Sequence, residues 1–544
     1  MSYPLTIRPL IIEDNPEVKE AYTRIFREIS RQLPWSLLPA IDPCFALSFE
    51  DGLAQLGRSV AFHLVILDLE LPQKAGRPAQ HGLDFGIRLL DASLTRESFP
   101  IPSILVISAH IDKTEQTKLQ DKVAAGCFYG KMLVKGTRDF LKNEIAVACN
   151  KVLAYSSVGI HVRDSNTLTY PVISPREEDL LRRSALSLHD VIGVDLSWWS
   201  AEILGSASIG FEWTKVLLGR HVLAHGHGAS NPRFFKFYSS ATSDTTVQSA
   251  RAAEHHLRHI RVIGEQSSPS RALLVTENAT ESSERPISLR DYLTSGQRTE
   301  TSIYEVVQQI LRQLKSMGTS TPDAVRLKDF LWKHHDLDCI SEQLNRCPRE
   351  DWISELFESI SDPEDLLGEL RESENIIHCT RQTLVHGDLH LTNVALRQCE
   401  GVATAFIFDT ASVVGSAPIE RDLASLEVSA LLHLAIDPAD FKGLCRRWYT
   451  DFNGEGKITY RFDLSKNVDA LISSLRSVVN GELNRQLYSL FLFDLAAIQL
   501  GGLAFGTSGN KVTDPYAAAL LARAAAQLYL RHDSPPERAE DASD

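Results

Sequence analysis

Leu384-Val-His-Gly-Asp-Leu-His-Leu-Thr-Asn-Val394 is the stretch on which the reading of this sequence turns. It sets His386, Gly387 and Asp388 side by side and Asn393 five residues after the acid. An acid that can orient a hydroxyl and take its proton, with an amide in the same short loop that can ligate Mg²⁺, is the set of groups phosphoryl transfer asks for. Downstream, a hairpin turn is expected at Glu400-Gly401, and Thr404-Ala-Phe-Ile-Phe408 then reads as a strand ending in Asp409. An acid at the end of that neighbouring strand gives the second metal ligand. Asp388 as a helix cap and Asp409 as a turn acid is the bland alternative, and the pairing of the two motifs at hairpin spacing weighs against it.

Upstream, the partner groups follow in order. Arg233-Phe-Phe-Lys-Phe-Tyr238 alternates as a strand and carries Lys236 among apolar residues, where an ammonium can clamp the α- and β-phosphates of ATP. The preceding Gly226-His-Gly-Ala-Ser230 is rich enough in glycine for its backbone N–H groups to approach phosphates, with Gly226, Gly228 and Ser230 as the candidate contacts. An ordinary hairpin turn is the competing reading of the same segment. Glu254, on a helix expected around Ser249 to Ile260, is a candidate partner for Lys236, with a solvent-facing glutamate as the alternative. Arg271-Ala-Leu-Leu-Val-Thr-Glu277 reads as a last strand, ending in a hinge at Thr276 and Glu277 whose backbone would meet adenine.

From about Leu204 to Leu530 this arrangement resembles the aminoglycoside phosphotransferase/choline kinase family, which has the bilobal protein-kinase-like fold. The resemblance implies an ATP:hydroxyl phosphotransferase with ATP and Mg²⁺ as cofactors. Asp388 would be its catalytic base, Asn393 and Asp409 its metal ligands, and Lys236 its contact to ATP. Glu420-Arg-Asp-Leu-Ala-Ser-Leu-Glu427 matches the family's acidic-then-apolar helix start, and Asp422 is expected to serve as a helix N-terminal charge or as a partner of the catalytic loop. The acceptor-choosing segments, Ile303 to Ile376 and Asp437 to Leu500, carry no motif. The acids between Glu358 and Glu374 read as a solvated helix face rather than as a lure for a cationic acceptor.

The first part of the chain has a different pattern. Leu10-Ile11-Ile12, His63 to Leu67 and Ser103 to Ile107 read as strands, alternating with helices over Pro16 to Gln32, Gly82 to Leu90 and Thr137 to Val152. That alternation implies a doubly wound parallel sheet. Glu13, Asp14 and Asp68 directly follow strands, so all three face the crevice at the strand C-termini. Three converging carboxylates repel unless a divalent cation sits among them, and hard oxygen ligands suit Mg²⁺. Ser108 follows the third strand, and a short strand Cys127-Phe-Tyr129 would bring Lys131 to the same edge, with Lys135 as the alternative. Asp68 is then the candidate acyl-phosphate acceptor.

Ile11-Ile-Glu-Asp-Asn15, Leu67-Asp-Leu-Glu-Leu-Pro72, Gly82-Leu-Asp-Phe85 and Ile107-Ser-Ala-His110 resemble the response-regulator receiver family. The resemblance implies that Glu13, Asp14 and Asp68 hold Mg²⁺, that Asp68 is phosphorylated, and that Ser108 and Lys131 read the phosphate out. Two departures stand out: an insertion from Gln73 to His81, and Met132 where a proline would follow the lysine.

The expected architecture is multidomain, α/β plus α+β. It comprises a flavodoxin-like doubly wound receiver (1–155), a helical connector (156–204), a kinase-like small lobe (205–286), a mostly helical lobe (287–532) and a disordered tail (533–544). A net charge of -14 argues against a nucleic-acid groove or an anionic membrane surface as the main partner. No leader is expected in Met1 to Glu13, no apolar run approaches the ~20 residues of a membrane helix, and the eight cysteines show no C-x-x-C pair. A bacterial-type cytoplasmic signalling enzyme is the expectation. Its partners would be a small-molecule hydroxyl acceptor and a histidine kinase or small phosphodonor, and the receiver would allow a homodimer. The alternative is a catalytically silent nucleotide-binding scaffold.

Overall fold

A computed structural model describes residues 6–32, 41–75, 82–108, 113–135, 137–163, 173–188, 191–204, 212–223, 230–257, 260–278, 286–326, 376–399, 402–408, 414–449, 452–454 and 456–504. The chain divides into two units. One is built from Met1–Trp198, Val216–Ser243 and Ile263–Thr276, the other from Trp199–Lys215, Asp244–Val262 and Glu277–Asp544.

In the first unit β1 (Pro9–Ile12), α1 (Pro16–Gln32), β2 (Cys44–Ala46), α2 (Phe49–Leu56), β3 (Leu64–Asp68), α3 (Gly82–Leu94), β4 (Ser103–Ser108), α4 (Lys113–Gly126), β5 (Tyr129–Val134) and α5 (Arg138–Ser157) alternate along the chain. The strands form one parallel sheet in the order β2-β1-β3-β4-β5. Side chains alternate between the faces of a strand. Leu10, Ile12, Val65, Leu67, Ile104 and Val106 therefore pack with α2, α3 and α4, whereas Ile11, Leu64, Ile66, Leu105 and Ile107 pack with α1 and α5. Burial on both faces explains why β3 and β4 read as unbroken apolar runs. The strand order reverses between β1 and β3, and it is outside the strand C-termini at such a switch point that open parallel sheets bind ligands.

The chain continues through β6 (Gly159–Arg163), α6 (Pro175–Leu186), β7 (Val191–Leu204), β8 (Glu212–Leu223), β9 (Arg233–Ser239), α7 (Ser243–His256), β10 (Ile260–Ser267) and β11 (Arg271–Asn278). Its strands form a six-stranded sheet in the order β10-β11-β9-β8-β7-β6. Strands β6 and β7 are parallel, which makes α6 their crossover. The segment 156–204 is thus not the helical connector expected from sequence. Val194 and Leu196 are fully buried while Asp195 and Ser197 are half-buried, an alternation at period two that a short window does not separate from a helix. α6 itself has an unambiguous start: Ser174 caps it, Pro175 occupies its first turn, and Glu177 completes a capping box.

The second unit, which also holds most of α7, contains β12 (Ile287–Ser288), α8 (Leu289–Thr294), α9 (Glu300–Ser316), β13 (Ser320–Arg326), β14 (Ile376–Val385), β15 (Val394–Cys399), β16 (Val402–Ile407), β17 (Val414–Pro418), α10 (Glu420–His433), α11 (Pro438–Trp448), α12 (Asp463–Glu482) and α13 (Arg485–Ala504). Two small sheets run β12-β15-β16 and β13-β14-β17. The long antiparallel pair of β13 with β14 was not expected in a stretch read as helical. Strand β14 buries Ile377 and Cys379 and exposes Ile376, His378 and Thr380, again at period two.

The main core of this unit draws on α8 to α13, and α10 and α12 bury a charged pair. Arg476 and Glu427 pair at 2.6 Å with both side chains out of solvent, and the hydroxyls of Tyr449 and Tyr488 donate to Glu427 at 2.6 and 2.7 Å. A buried ion pair persists only when its remaining hydrogen-bonding capacity is met in this way.

Among the described residues no helix is long and apolar enough to cross a membrane. Cys44, Cys127, Cys149, Cys379 and Cys445 are free thiols. The acids from Glu358 to Glu374 and the tail 533–544 lie outside the described residues.

Candidate functional site

In the second unit β14 ends at Val385 and hands the chain to His386-Gly-Asp388, with Gly387 at φ +82°. That left-handed turn suits glycine because no Cβ opposes it. Asp422, in the first turn of α10, is fully buried, and its two carboxyl oxygens accept the backbone N–H groups of His386 and Gly387, each at 2.8 Å. Burial raises its pKa, against the pull of those two N–H donors. Of the two structural roles expected for Asp422, it fills both: a charge at a helix start and a clamp on the loop.

The His386 ring is locked as well. Its Nε2 lies 2.9 Å from the carbonyl oxygen of Phe408, and the N–H of Asp388 points at its Nδ1 at 3.4 Å. A carbonyl can only accept and an N–H only donate, so the ring carries its proton on Nε2. Phe408 in turn donates its own N–H to the carbonyl of Asn393 at 3.0 Å. The Asn393 side chain is buried, and its Nδ2 donates to the Asp388 carbonyl at 2.8 Å. Leu391 N–H is held by Ser429 Oγ of α10 at 3.2 Å.

The loop is thereby pinned on every side, while the Asp388 carboxylate keeps 43% of its surface exposed. His390 Nε2 lies 3.9 Å from it, a neighbour that sequence reading passed over. Strands β15 and β16 pair from Val394↔Ile407 to Cys399↔Val402, as the expected hairpin requires. Asp409 lies just outside the described residues, next to Phe408.

Lys236 is half-buried on β9 of the first unit, flanked by buried Phe235 and Phe237. Glu254 is half-buried on α7 of the second. Thr276 and Glu277 are half-buried near the end of β11. Gly226 and Gly228 lie outside the described residues. Ser230 is engaged by the hairpin itself: its Oγ accepts from His221 N–H at 3.0 Å, and its own N–H donates to the His221 carbonyl at 3.0 Å. This is the ordinary-turn reading of that residue.

At the switch point of the five-stranded sheet, Glu13 and Asp14 follow β1 and Asp68 ends β3. The three carboxylates offer oxygens within 4.8 Å of one another. Burial and then the charge of Asp68 push Glu13 up to about 7, with Lys135 acting against both. Asp68 is also raised, chiefly by burial, with Lys135 opposing. Carboxyls pushed upward in this way mark a site short of positive charge, which fits a divalent cation. Asp68 Oδ1 accepts the Glu70 N–H at 3.1 Å, and Ser108 is buried at the end of β4, one residue past the Asp68↔Ile107 register. Glu13, Asp14 and Lys135 line a cavity of about 380 Å³.

The lysine at this site is Lys135, whose Nζ lies 2.6 Å from Asp68 Oδ2. Lys131 instead pairs with Glu144 at 2.6 Å. The reason is register. Strand β5 runs to Val134 rather than ending near Tyr129, so Lys135 is the first residue beyond the sheet edge, and Lys131 stands four residues, roughly 13 Å, back along the strand. Lys135 N–H also bonds the Ser108 carbonyl at 3.2 Å, which fixes its place beside Ser108.

No family model matches the sequence, and no curated protein matches it. Among solved structures, a protein described as a fructosamine-3-kinase from Haemophilus somnus 129PT aligns with 60% of this chain and 90% of its own, at 12% identity and a TM-score of 0.27. A likeness that slight carries no argument about fold or function.

Proposed function

We propose that the chain is an ATP-dependent phosphotransferase acting on a hydroxyl of a small molecule, and that its five-stranded domain is a receiver whose phosphorylation on Asp68 regulates it. The observation that carries the first part is the loop 386–393: a partly exposed acid on a backbone clamped by Asp422, with Asn393 tied to that acid's own carbonyl. Asp388 orients the acceptor hydroxyl and takes its proton as the oxygen attacks. Its carboxylate is 43% exposed, which puts it within reach of an acceptor. Asn393 and Asp409 are the residues suited to Mg²⁺, and His386 and Asn393 hold Phe408, the neighbour of Asp409, against the loop. Lys236 is the candidate for the α- and β-phosphates and the Thr276–Glu277 backbone for adenine. Mg²⁺, when bound with ATP, neutralises charge developing on the transferred group.

For the receiver, the support is the set Glu13, Asp14, Asp68, Ser108 and Lys135 at the edges of β1, β3, β4 and β5. Glu13, Asp14 and Asp68 hold Mg²⁺. Asp68 accepts a phosphoryl group from a histidine kinase or a small phosphodonor, and Ser108 and Lys135 bind it.

The test is ADP release from MgATP by the wild type, Asp388→Ala and Asp68→Asn, with a panel of hydroxyl acceptors and with or without acetyl phosphate. Turnover lost in Asp388→Ala, and altered by acetyl phosphate only while Asp68 is intact, is the expected result. ATP binding with no turnover under any condition would replace this reading with a nucleotide-binding scaffold.

A further inference from the structure

α6 touches two structures at once. Arg176, at its first turn, is almost wholly buried and sends Nη2 to the carbonyls of Leu94 and Arg96, at 2.9 and 2.6 Å, where α3 ends. Arg183, two turns on, donates to the carbonyl of Ala125 near the end of α4 at 3.0 Å. Between them Asp179, also buried, accepts from Tyr155 Oη of α5 at 2.9 Å and lies 3.7 and 3.6 Å from the two guanidinium groups. Helix C-termini present unpaired carbonyls and a partial negative charge, so buried guanidinium groups are well matched to them. α6 also carries apolar residues: Leu180, Leu181 and Ala185 pack into one cluster with Phe235 and Phe237 of β9. Those two phenylalanines flank Lys236.

α3 has a second fixed contact at its other end. A Cβ on Gly86 would lie 2.4 Å from the carbonyl oxygen of Leu69, so α3 rides directly on the backbone one residue past Asp68. A thirteen-residue helix is a stiff rod of about 20 Å. It rests on the Asp68 loop near its start and on Arg176 at its end.

We infer that Arg176 is a positioning residue that couples Asp68 to the ATP-binding strand. A change in the loop after Asp68 displaces α3, Arg176 carries that displacement to α6, and α6 moves Phe235 and Phe237 and with them the Lys236 strand. This rests on the receiver and kinase readings above and specifies the route between them. Arg176 touches neither phosphate. It holds the two carbonyls through Nη2 while Nη1 of the same planar group faces Asp179 at 3.7 Å, an arrangement with two arms that the single nitrogen of a lysine does not reproduce.

The test uses the full-length chain and two separate readouts. Fluorine NMR reports whether beryllium fluoride, a mimic of an acyl phosphate, binds at Asp68 with Mg²⁺. Titration with a fluorescent ATP analogue reports affinity at the nucleotide site. In the wild type, loading with beryllium fluoride should shift nucleotide affinity roughly 5-fold or more, the usual lower range of coupling between sites. In Arg176→Lys the fluorine signal should persist, affinity in its absence should stay within about twofold of wild type, and the shift should shrink to under about twofold. Arg176→Met should behave alike; if it does not fold, Arg176→Lys alone decides. An undiminished shift in Arg176→Lys overturns the inference, as does a wild type that binds beryllium fluoride without any shift. No fluorine signal in the wild type would remove the receiver reading and this inference with it. Loss of nucleotide binding in the wild type would remove the kinase reading instead.

Discussion

Replacing Asp422 by alanine should cost both stability and turnover, in that causal order. The carboxyl is fully buried and satisfies two backbone donors, His386 N–H and Gly387 N–H, each at 2.8 Å. Alanine removes both acceptors and leaves two N–H groups unpaired in the interior. Each unmet donor costs about 1–3 kcal/mol, so the change should destabilise the second unit by roughly 2–6 kcal/mol, less whatever a water entering the small cavity restores. Asparagine keeps one accepting oxygen and turns an NH₂ toward the other N–H, so its cost should be about half.

Function should follow through Asp388, because the left-handed turn at Gly387, one residue before it, is held by Asp422 Oδ1. A displacement of about 1 Å in a catalytic base is worth on the order of 100-fold in rate. Urea unfolding and acceptor-dependent ADP release, measured on wild type, Asp422→Asn and Asp422→Ala, should fall in that order together. Turnover that collapses with stability unchanged would mean that Asp422 acts at the chemistry and not through the loop. Unchanged stability and unchanged turnover in Asp422→Ala would refute the clamp altogether.

Three further outcomes are expected. Lys135→Met should abolish any response of ADP release to acetyl phosphate, whereas Lys131→Met, which breaks only the bond to Glu144, should leave it intact. Burial, and then the charge of Arg233, depress His221 from 6.5 to about 3. With its folded pKa below its unfolded one, the unfolded chain takes up a proton first as pH falls through 6.5. Stability should therefore drop by about 2 kcal/mol between pH 6.5 and pH 5 in urea titrations, and by much less in His221→Gln. Arg476→Met leaves Glu427 charged and buried, and should cost about 3–5 kcal/mol in thermal unfolding, more than the double change Arg476→Met with Glu427→Gln.

The five-stranded sheet was legible because its strands are short, apolar on both faces and punctuated by carboxylates at their ends. Glu13, Asp14 and Asp68 needed no more than that rule to be placed together. Lys131 was misplaced because the rule depends on where a strand ends, and Tyr129 to Val134 carries a lysine and a glycine that blur its limits. The loop at Asp388 and Asn393 was legible for the opposite reason: its chemistry is local, set by five residues of chain. β7 and β14 were lost because half-buried strands of mixed polarity look like helix faces over a short window.

Taken alone, then, the sequence determined what neighbours in the chain can enforce: the spacing of Asp388 to Asn393, the hairpin that follows, and which residues stand at the ends of apolar strands. Only the tertiary structure decided the contacts made across distance. Asp422 reaches back to His386 and Gly387, Lys135 takes the place expected for Lys131, Arg476 meets Glu427, and Arg176 closes on the end of α3 from eighty residues away. The physical reason is common to all four. Each is a charged or polar group whose partner is chosen by burial and register, and neither is written in the residues beside it.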